Sequence, residues 1–152
     1  MTWDEIQSSL APTLKKLTDS PFGNINEIKF EKGIYIFYEN DVPIYVGRSN
    51  RIVKRLNEHG KANSTHFSAS FAFLLAKYSA KESKLEFKDE DGKKLTRGKL
   101  QDIDSFGFKI QKERVAKMRF KAIQIDEPNF QAVFEIYASM QLNTFYNKFD
   151  NH

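Results

Sequence analysis

The strongest constraint on the fold is a pair of short β-rich runs that lie close together in the sequence. The runs are GIYIFY at residues 33–38 and PIYVG at residues 43–47. Both contain the β-branched and aromatic residues that are enriched in strands. The four residues between them, ENDV at 39–42, have the composition of a hairpin turn. The two runs therefore predict a β-hairpin.

Helical patterns surround this hairpin. Apolar residues recur at helical spacing in five segments, at residues 2–19, 50–59, 65–79, 100–118 and 130–142. A third β-rich run lies at residues 120–125, and Asn50 is the predicted N-cap of the second helix. This order predicts an α+β fold with a small three-stranded antiparallel sheet flanked by helices.

The length of the chain fits one domain. A chain of 152 residues leaves little room for a second domain, so we expect a single domain over residues 1–152. Residues 1–24 are expected to form an extra N-terminal helical cover, and residues 33–80 and 100–152 to form the core. Residues 81–99 are a charged insertion, in which 12 of 19 residues are charged. We expect a solvated hairpin or a mobile segment there, with a DNA-recognition arm as the functional alternative.

Composition excludes several kinds of site. Because the chain has no cysteine, disulfides, cysteine nucleophiles and cysteine-ligated metals are excluded. His59 and His66 lack an evident third ligand for zinc, so His66 and His152 are expected to have capping or hydrogen-bonding roles. A formal net charge of +4 permits an anionic partner without requiring one. The N-terminal MTWDE is acidic and no apolar stretch could cross a bilayer, so we expect a cytoplasmic protein without membrane association.

Three side chains that could take part in catalysis lie ten residues apart, and a fourth follows them by one helical turn. Tyr35 and Tyr45 lie ten residues apart on the predicted strands, and with a simple turn they emerge on the same sheet face. Arg55 lies ten residues further on, and His59 follows it by one helical turn. Two phenols, a guanidinium and an imidazole are therefore expected to converge where the second strand meets the next helix.

On these residues the chain resembles the GIY-YIG endonucleases, metal-dependent enzymes that cut DNA phosphodiester bonds. The matching pieces are GIY at 33–35, YVGRS at 45–49, Arg55, His59, Glu135 and Asn147. The resemblance extends from residue 33 to about residue 152. It implies a compact domain built on a three-stranded antiparallel sheet, and a nuclease that acts on DNA. It leaves RNA open as a substrate.

The resemblance also implies a role for each matching side chain. Glu135 would be the one acidic ligand of a single divalent cation, Mg²⁺ or Mn²⁺; magnesium keeps several waters of its own when bound. Arg55 would hold the phosphate in its bidentate fork. Tyr35 and Tyr45 would orient or deprotonate the attacking water, and Asn147 would support the site near the end of the domain.

The general base is the role that the sequence leaves open. Many members of the family carry Lys where this chain has Arg48, and in some of them that lysine is assigned as the base. Arginine cannot take this role, because it is not deprotonated in proteins. Arg48 is therefore expected to bind phosphate, together with Arg51. The base is expected to be Tyr45, with Tyr35 and His59 as alternatives. Lowering a tyrosine pKa from about 10 to about 7 requires roughly 4 kcal/mol of differential stabilisation.

Other functions remain compatible with the sequence. A non-catalytic nucleic-acid-binding module with the same fold would be expected to have lost Glu135 or Arg55, and both are present. An interaction protein would have its tyrosines, arginine and glutamate scattered in space. A basic stretch over residues 109–121 is a candidate phosphate-contacting stripe on a helix. A homodimer would be one route to sequence specificity, because no zinc finger or helix-turn-helix module is evident.

Overall fold

The computed structural model describes residues 1–149 and confirms an α+β fold in which helices flank a three-stranded antiparallel sheet. The strands are β1 (Gly33–Glu39), β2 (Val42–Ser49) and β3 (Arg119–Gln124), in the spatial order β2-β1-β3. The helices are α1 (Trp3–Asp19), α2 (Ile52–His59), α3 (Ser70–Glu82), α4 (Arg97–Leu100), α5 (Phe108–Ala116) and α6 (Pro128–Gln141). None of the helices within residues 1–149 is long and apolar enough to span a membrane. The end of the predicted core, including His152, lies outside the described residues.

The chain forms two compact units. One contains Met1–Lys54 and the chain from Met118 onward, and the other contains Arg55–Lys117. All three strands, α1 and α6 belong to the first unit, and α3, α4 and α5 belong to the second. Helix α2 begins in the first unit and ends in the second. The single domain over residues 1–152 stays a prediction.

The predicted hairpin is present, and its turn is shorter than predicted. Strands β1 and β2 are joined by Asn40 and Asp41, whose φ angles are 51° and 63°. Positive φ at both central positions gives the two-residue turn that matches the twist of paired strands, and Asn and Asp tolerate this conformation. The two strands therefore extend into the predicted turn segment.

The register of the hairpin places both tyrosines on one face, as predicted. Tyr35 lies opposite Gly47, and Phe37 lies opposite Tyr45. Side chains two residues apart on a strand share a face, so Tyr35 and Phe37 emerge together and face the same way as Tyr45. Strand β2 is an edge strand, because β1 lies between it and β3.

The opposite face of the sheet carries the hydrophobic core of the first unit. Ile34 and Ile36 of β1 and Val46 of β2 are fully buried there. They pack with residues of α1 and α6, among them Leu17 and Phe134, which are also fully buried. Burying a side chain of this size contributes roughly 1.5–3 kcal/mol. This core therefore fixes α6 against the sheet.

Two predicted helices begin later than expected. The helix predicted from Asn50 begins at Ile52, whose N–H donates to the carbonyl oxygen of Glu31 at 2.8 Å. The N-cap role of Asn50 is therefore wrong, because the residue directly before the helix is Arg51. The helix predicted from residue 65 begins at Ser70, since residues 66–69 form turns.

The helix predicted over residues 100–118 is broken by a glycine. Gly107 has a φ angle of 82° and lies between a 3₁₀ turn, Asp104–Phe106, and α5. A left-handed residue cannot continue a right-handed helix, and glycine adopts this conformation at no steric cost. The segment therefore contains a 3₁₀ turn and α5, and α4 contributes only its last residue, Leu100.

The charged insertion over residues 81–99 has the form of a small hairpin, which is one of the two expected forms. Lys88 and Lys94 form an antiparallel bridge, and Gly92 has a φ angle of 74° between them. Helices α3 and α4 take up the two ends of the predicted segment. Its role as a DNA-recognition arm stays a prediction.

Candidate active site

Tyr35 crosses over Gly47 on the neighbouring strand. A Cβ added to Gly47 would lie 2.3 Å from the phenol oxygen of Tyr35, which is closer than any real contact. Glycine at this position therefore allows the ring to pass over β2. Tyr35 is only 1% exposed, so the surrounding protein holds its ring in this position.

Tyr45 is the more accessible of the two phenols. Its ring centroid lies 6.5 Å from that of Tyr35, so the structure brings the two predicted tyrosines together. Tyr45 is partly buried, whereas Tyr35 is buried almost completely. An attacking water would therefore reach Tyr45 more easily.

Glu135 of α6 forms an ion pair with Arg48 of β2. The Nε of Arg48 donates to Oε2 of Glu135 at 3.0 Å. The Glu135 side chain is 17% exposed and that of Arg48 is 48% exposed. Burial raises the pKa of Glu135, while the charge and hydrogen bond of Arg48 act in the opposite direction. A partly buried carboxylate is thus held at the end of β2.

Asn147 binds the outer edge of β2. Its side-chain oxygen accepts from the N–H of Val46 at 2.8 Å, and its side-chain N–H donates to the carbonyl oxygen of Val46, also at 2.8 Å. The amide thus makes the two hydrogen bonds that a further strand would make to an edge strand. The hydroxyl of Thr144 also donates to the Asn147 oxygen at 2.8 Å. Asn147 therefore fixes the segment after α6 to the strand that carries Tyr45.

Glu135 and the two phenols lie on opposite faces of β2, and the convergence expected of Tyr35, Tyr45, Arg55 and His59 stays a prediction. Arg48 and its partner Glu135 lie on the face that packs against α6, because Arg48 alternates with Tyr45 and Gly47 along the strand. The phenols emerge from the other face. The pairing of Arg48 with Glu135 was not predicted, since 87 residues separate them and no local pattern links them.

Arg51 lies in the bend between β2 and α2. Its backbone N–H donates to Oγ of Ser49 at 2.9 Å, and the residue is exposed. The bend places its side chain at the surface of the first unit, where a phosphate could reach it. Its phosphate-binding role stays a prediction.

Arg55, in the second unit, donates to the loop that precedes α3. Its guanidinium donates to the carbonyl oxygens of Phe67 at 3.0 Å and Ser68 at 3.3 Å, and to Oγ of Ser70 at 2.7 Å. The predicted fork therefore holds protein oxygens in this structure. Hydrogen bonds from a charged donor are stronger than neutral ones, so this loop is firmly held.

His59 is fully buried one turn after Arg55. Burial and the nearby charge of Arg55 lower the pKa of His59 to about 3. Its ring packs edge-on against Phe71, with centroids 6.5 Å apart. The imidazole is therefore neutral near pH 7 and is shielded from solvent.

His66 has the hydrogen-bonding role that was expected of it. Its backbone N–H and its Nδ1 both lie 3.0 Å from Oε1 of Gln101. Because that oxygen only accepts, the geometry assigns the proton to Nδ1. Within residues 1–149, no group of three or more His, Asp and Glu side chains is placed to hold a metal ion.

The phosphate-contacting stripe predicted over residues 109–121 is wrong as a single helical face. Residues 119–121 belong to β3 rather than to a helix. The ammonium of Lys112 is buried and donates to the carbonyl oxygens of Ala62 at 2.5 Å and Ser64 at 3.0 Å. Lys121 likewise donates to the carbonyl oxygen of Thr18. These lysines stabilise the protein instead of presenting a basic surface.

Comparison with known proteins gives one match. A protein-family model, the GIY-YIG catalytic domain, matches residues 31–147, which is most of the chain. No curated protein and no solved structure matches it significantly. Proteins of this family are in general endonucleases that act on nucleic acid and typically use divalent metals. Because the match covers far more than half of the residues, the chain belongs to the GIY-YIG family.

Proposed function

We propose that this protein is a divalent-metal-dependent endonuclease that hydrolyses DNA phosphodiester bonds. The observation that carries the proposal is the partly buried carboxylate of Glu135, held by Arg48 at the end of β2. Strand β2 also carries Tyr45, and Asn147 fixes its outer edge. Strand β2 thus carries a cation, Arg48, and a phenol, Tyr45, and helix α6 supplies the acid that pairs with Arg48.

The donor chemistry of Glu135 fits a hard divalent cation. Among residues 1–149, Glu135 belongs to no group of three or more His, Asp and Glu side chains that could hold a metal ion. A carboxylate in this setting suits magnesium, which keeps several waters, and does not suit structural zinc. When bound, such a cation would stabilise negative charge on the phosphate and the leaving oxygen. Glu135 would hold the cation, and Arg48 keeps the carboxylate oriented through its Nε.

Arginines supply the phosphate contacts of the proposed site. Arg48 uses Nε for Glu135 and its side chain is about half exposed, so we assign its terminal nitrogens to the phosphate. Arg51 adds a second exposed guanidinium in the bend that follows β2. For Arg55 to bind phosphate as well, its fork must exchange the loop oxygens for phosphate oxygens.

Tyr45 is the best candidate for the residue that activates water. It is more accessible than Tyr35, whose ring is buried over Gly47. His59 is a poorer candidate, because it is fully buried and its environment disfavours the protonated form that proton transfer would create. The ring of Tyr35 lies beside that of Tyr45, and Asn147 fixes the backbone of the next residue, Val46.

Plasmid nicking tests the proposal. Purified protein is incubated with supercoiled DNA and Mg²⁺ or Mn²⁺, and Glu135→Gln is compared with wild type. We expect nicking by wild type and a loss of at least about a thousandfold in Glu135→Gln, because a neutral amide is a weak ligand for a hard cation. Glu113→Gln, an exposed residue of α5, removes the same charge and serves as the matched control.

Two outcomes would contradict the proposal. Nicking by Glu135→Gln at the wild-type rate would remove the metal-ligand role. DNA binding without cleavage by wild type under any divalent metal would favour the non-catalytic module. Parallel reactions with a single-stranded RNA determine whether RNA is also a substrate.

A further inference from the structure

Phe67 is an aromatic side chain held in an exposed position. It lies in the loop between α2 and α3 and is 77% exposed, more than any other large hydrophobic residue that the structure describes. Isolated exposed apolar residues are common on protein surfaces and need no special cause. Phe67 differs from them in how firmly its surroundings hold it.

The backbone of this loop is fixed by Arg55. The guanidinium donates to the carbonyl oxygens of Phe67 and Ser68 and to the hydroxyl of Ser70, at 2.7–3.3 Å. A charged donor with three acceptors on four consecutive residues leaves the loop little freedom. Phe67 is therefore presented from a backbone with a defined position.

The ring of Phe67 rests on a second aromatic ring. The His66 ring lies 4.0 Å from that of Phe67 between centroids, with an interplanar angle of 38°. His66 is buried, and the side-chain oxygen of Gln101 forms hydrogen bonds with both its backbone N–H and its ring. Behind it lies Phe73, 5.7 Å from the His66 ring. Phe67 is thus the outermost ring of a supported aromatic stack.

The unit that contains this stack carries the net positive charge of the chain. Residues 55–117 contain 14 Lys and Arg against nine Asp and Glu, whereas the remainder contains ten against eleven. One of these cations, Arg97, lies against the same stack, with its guanidinium 4.6 Å from the Phe73 centroid. An exposed ring in a positively charged unit is complementary to a polyanion with flat, aromatic bases.

We propose that Phe67 is a stacking platform for an unpaired nucleobase, so that the protein binds single-stranded or locally unpaired nucleic acid. This inference rests on the proposed function and adds the class of substrate. Stacking requires a base that is free of its own neighbours, which a regular duplex does not offer. A protein partner is disfavoured because one ring lacks the contiguous apolar area that a protein interface needs.

Binding to short oligonucleotides in EDTA, where the DNA stays uncut, tests the platform. Fluorescence anisotropy compares labelled single-stranded and duplex 20-mers with wild type, Phe67→Ala and Phe67→Tyr. We expect Phe67→Ala to weaken single-strand binding by about 5- to 150-fold, to leave duplex binding within about twofold, and Phe67→Tyr to stay near wild type. Ile110→Ala, another exposed apolar residue of the same unit, is the matched control and should change neither affinity.

A fluorescent reporter identifies the contact directly. The chain has one tryptophan, Trp3, so Phe67→Trp in a Trp3→Phe background places the only indole on the platform. Stacking of a base should quench its emission on addition of the single strand but not of the duplex.

Unchanged single-strand affinity in Phe67→Ala together with an unquenched indole would overturn the platform. So would an equal loss of affinity for both DNA forms. In either case, plasmid nicking that depends on Glu135 would still support the proposed nuclease function. Capture of a protein partner that needs Phe67, with no effect on nucleic acid, would also overturn it.

Discussion

Arg48 and Arg55 lie seven residues apart in the sequence and meet very different surroundings. Arg48 is half exposed and contacts one carboxylate oxygen of Glu135. Arg55 donates to three protein oxygens of its own unit and stands beside a fully buried imidazole. The first arginine holds the carboxylate of a candidate site, whereas the second stabilises a loop. A basic residue in a nuclease motif can therefore act through the fold as much as through the substrate.

A large pH effect is expected for His59, the neighbour of Arg55. Its pKa is about 6.5 in the unfolded chain and about 3 in the folded protein, so below pH 6.5 the unfolded state binds a proton that the folded state does not. Stability should therefore fall as the pH drops from about 6.5 towards 3, by up to about 1.4 kcal/mol per pH unit from this group.

Urea unfolding of wild type and His59→Leu at pH 7 and pH 4.5 checks this effect. The loss of stability on acidification should be about 2–3 kcal/mol smaller in the variant. An equal loss in both proteins would show that His59 is protonated in the folded state.

Arg55→Ala is expected to combine a structural and a functional loss. Removing a charged donor that satisfies three oxygens should lower the free energy of unfolding by about 2–4 kcal/mol. The proposed phosphate-binding role of Arg55 predicts that nicking falls by at least about a hundredfold, because a charged clamp on the substrate would be lost as well. Arg51→Ala offers the same truncation at an exposed position, and a stability loss as large as that of Arg55→Ala would remove the contrast between held and exposed arginines.

Asn147→Ala should show how much the edge of β2 depends on one amide. Two hydrogen bonds to Val46 disappear, and we expect a loss of about 1–3 kcal/mol in unfolding free energy. Hydrogen exchange should speed up at Val46, whose N–H uses the Asn147 oxygen as acceptor. Asn129→Ala, at an exposed position of α6, is the control, and unchanged exchange at Val46 in Asn147→Ala would refute the clamp.

The smallest effect on stability is expected for Arg48→Gln. The Arg48 side chain of this ion pair is about half exposed, so the free energy of unfolding should change by less than about 1 kcal/mol. The pKa of Glu135 should rise further, because burial raises it and Arg48 opposes that rise. A carbon-detected NMR titration of the Glu135 carboxyl measures this shift, and a fall in its pKa would contradict the geometry.

The sequence predicted the parts of the fold that depend on local patterns. The hairpin, the common face of Tyr35 and Tyr45, and α1 and α6 to within about two residues follow from strand alternation and helical spacing. The start of α2 was missed because its first N–H uses the carbonyl oxygen of Glu31, a contact that no local pattern records.

The sequence named the candidate residues of the site but did not predict which of them contact one another. Neither the pairing of Arg48 with Glu135 nor the bonds of Asn147 to Val46 leaves a local signal, because 87 and 101 residues separate the partners. The burial of His59 was equally hidden, since a histidine on a helix gives no indication of the elements that cover it. Such features depend on tertiary packing alone.

The crossing of Tyr35 over Gly47 has a consequence for how the two strand motifs can change. Any side chain at position 47 would collide with the phenol, so the glycine is required only while an aromatic ring stands at position 35. The residues at positions 35 and 47 are therefore sterically coupled. A smaller residue at position 35 would make room for a side chain at position 47. Gly47→Ala should destabilise the fold by itself, and this loss should be smaller when Tyr35 is also replaced by alanine.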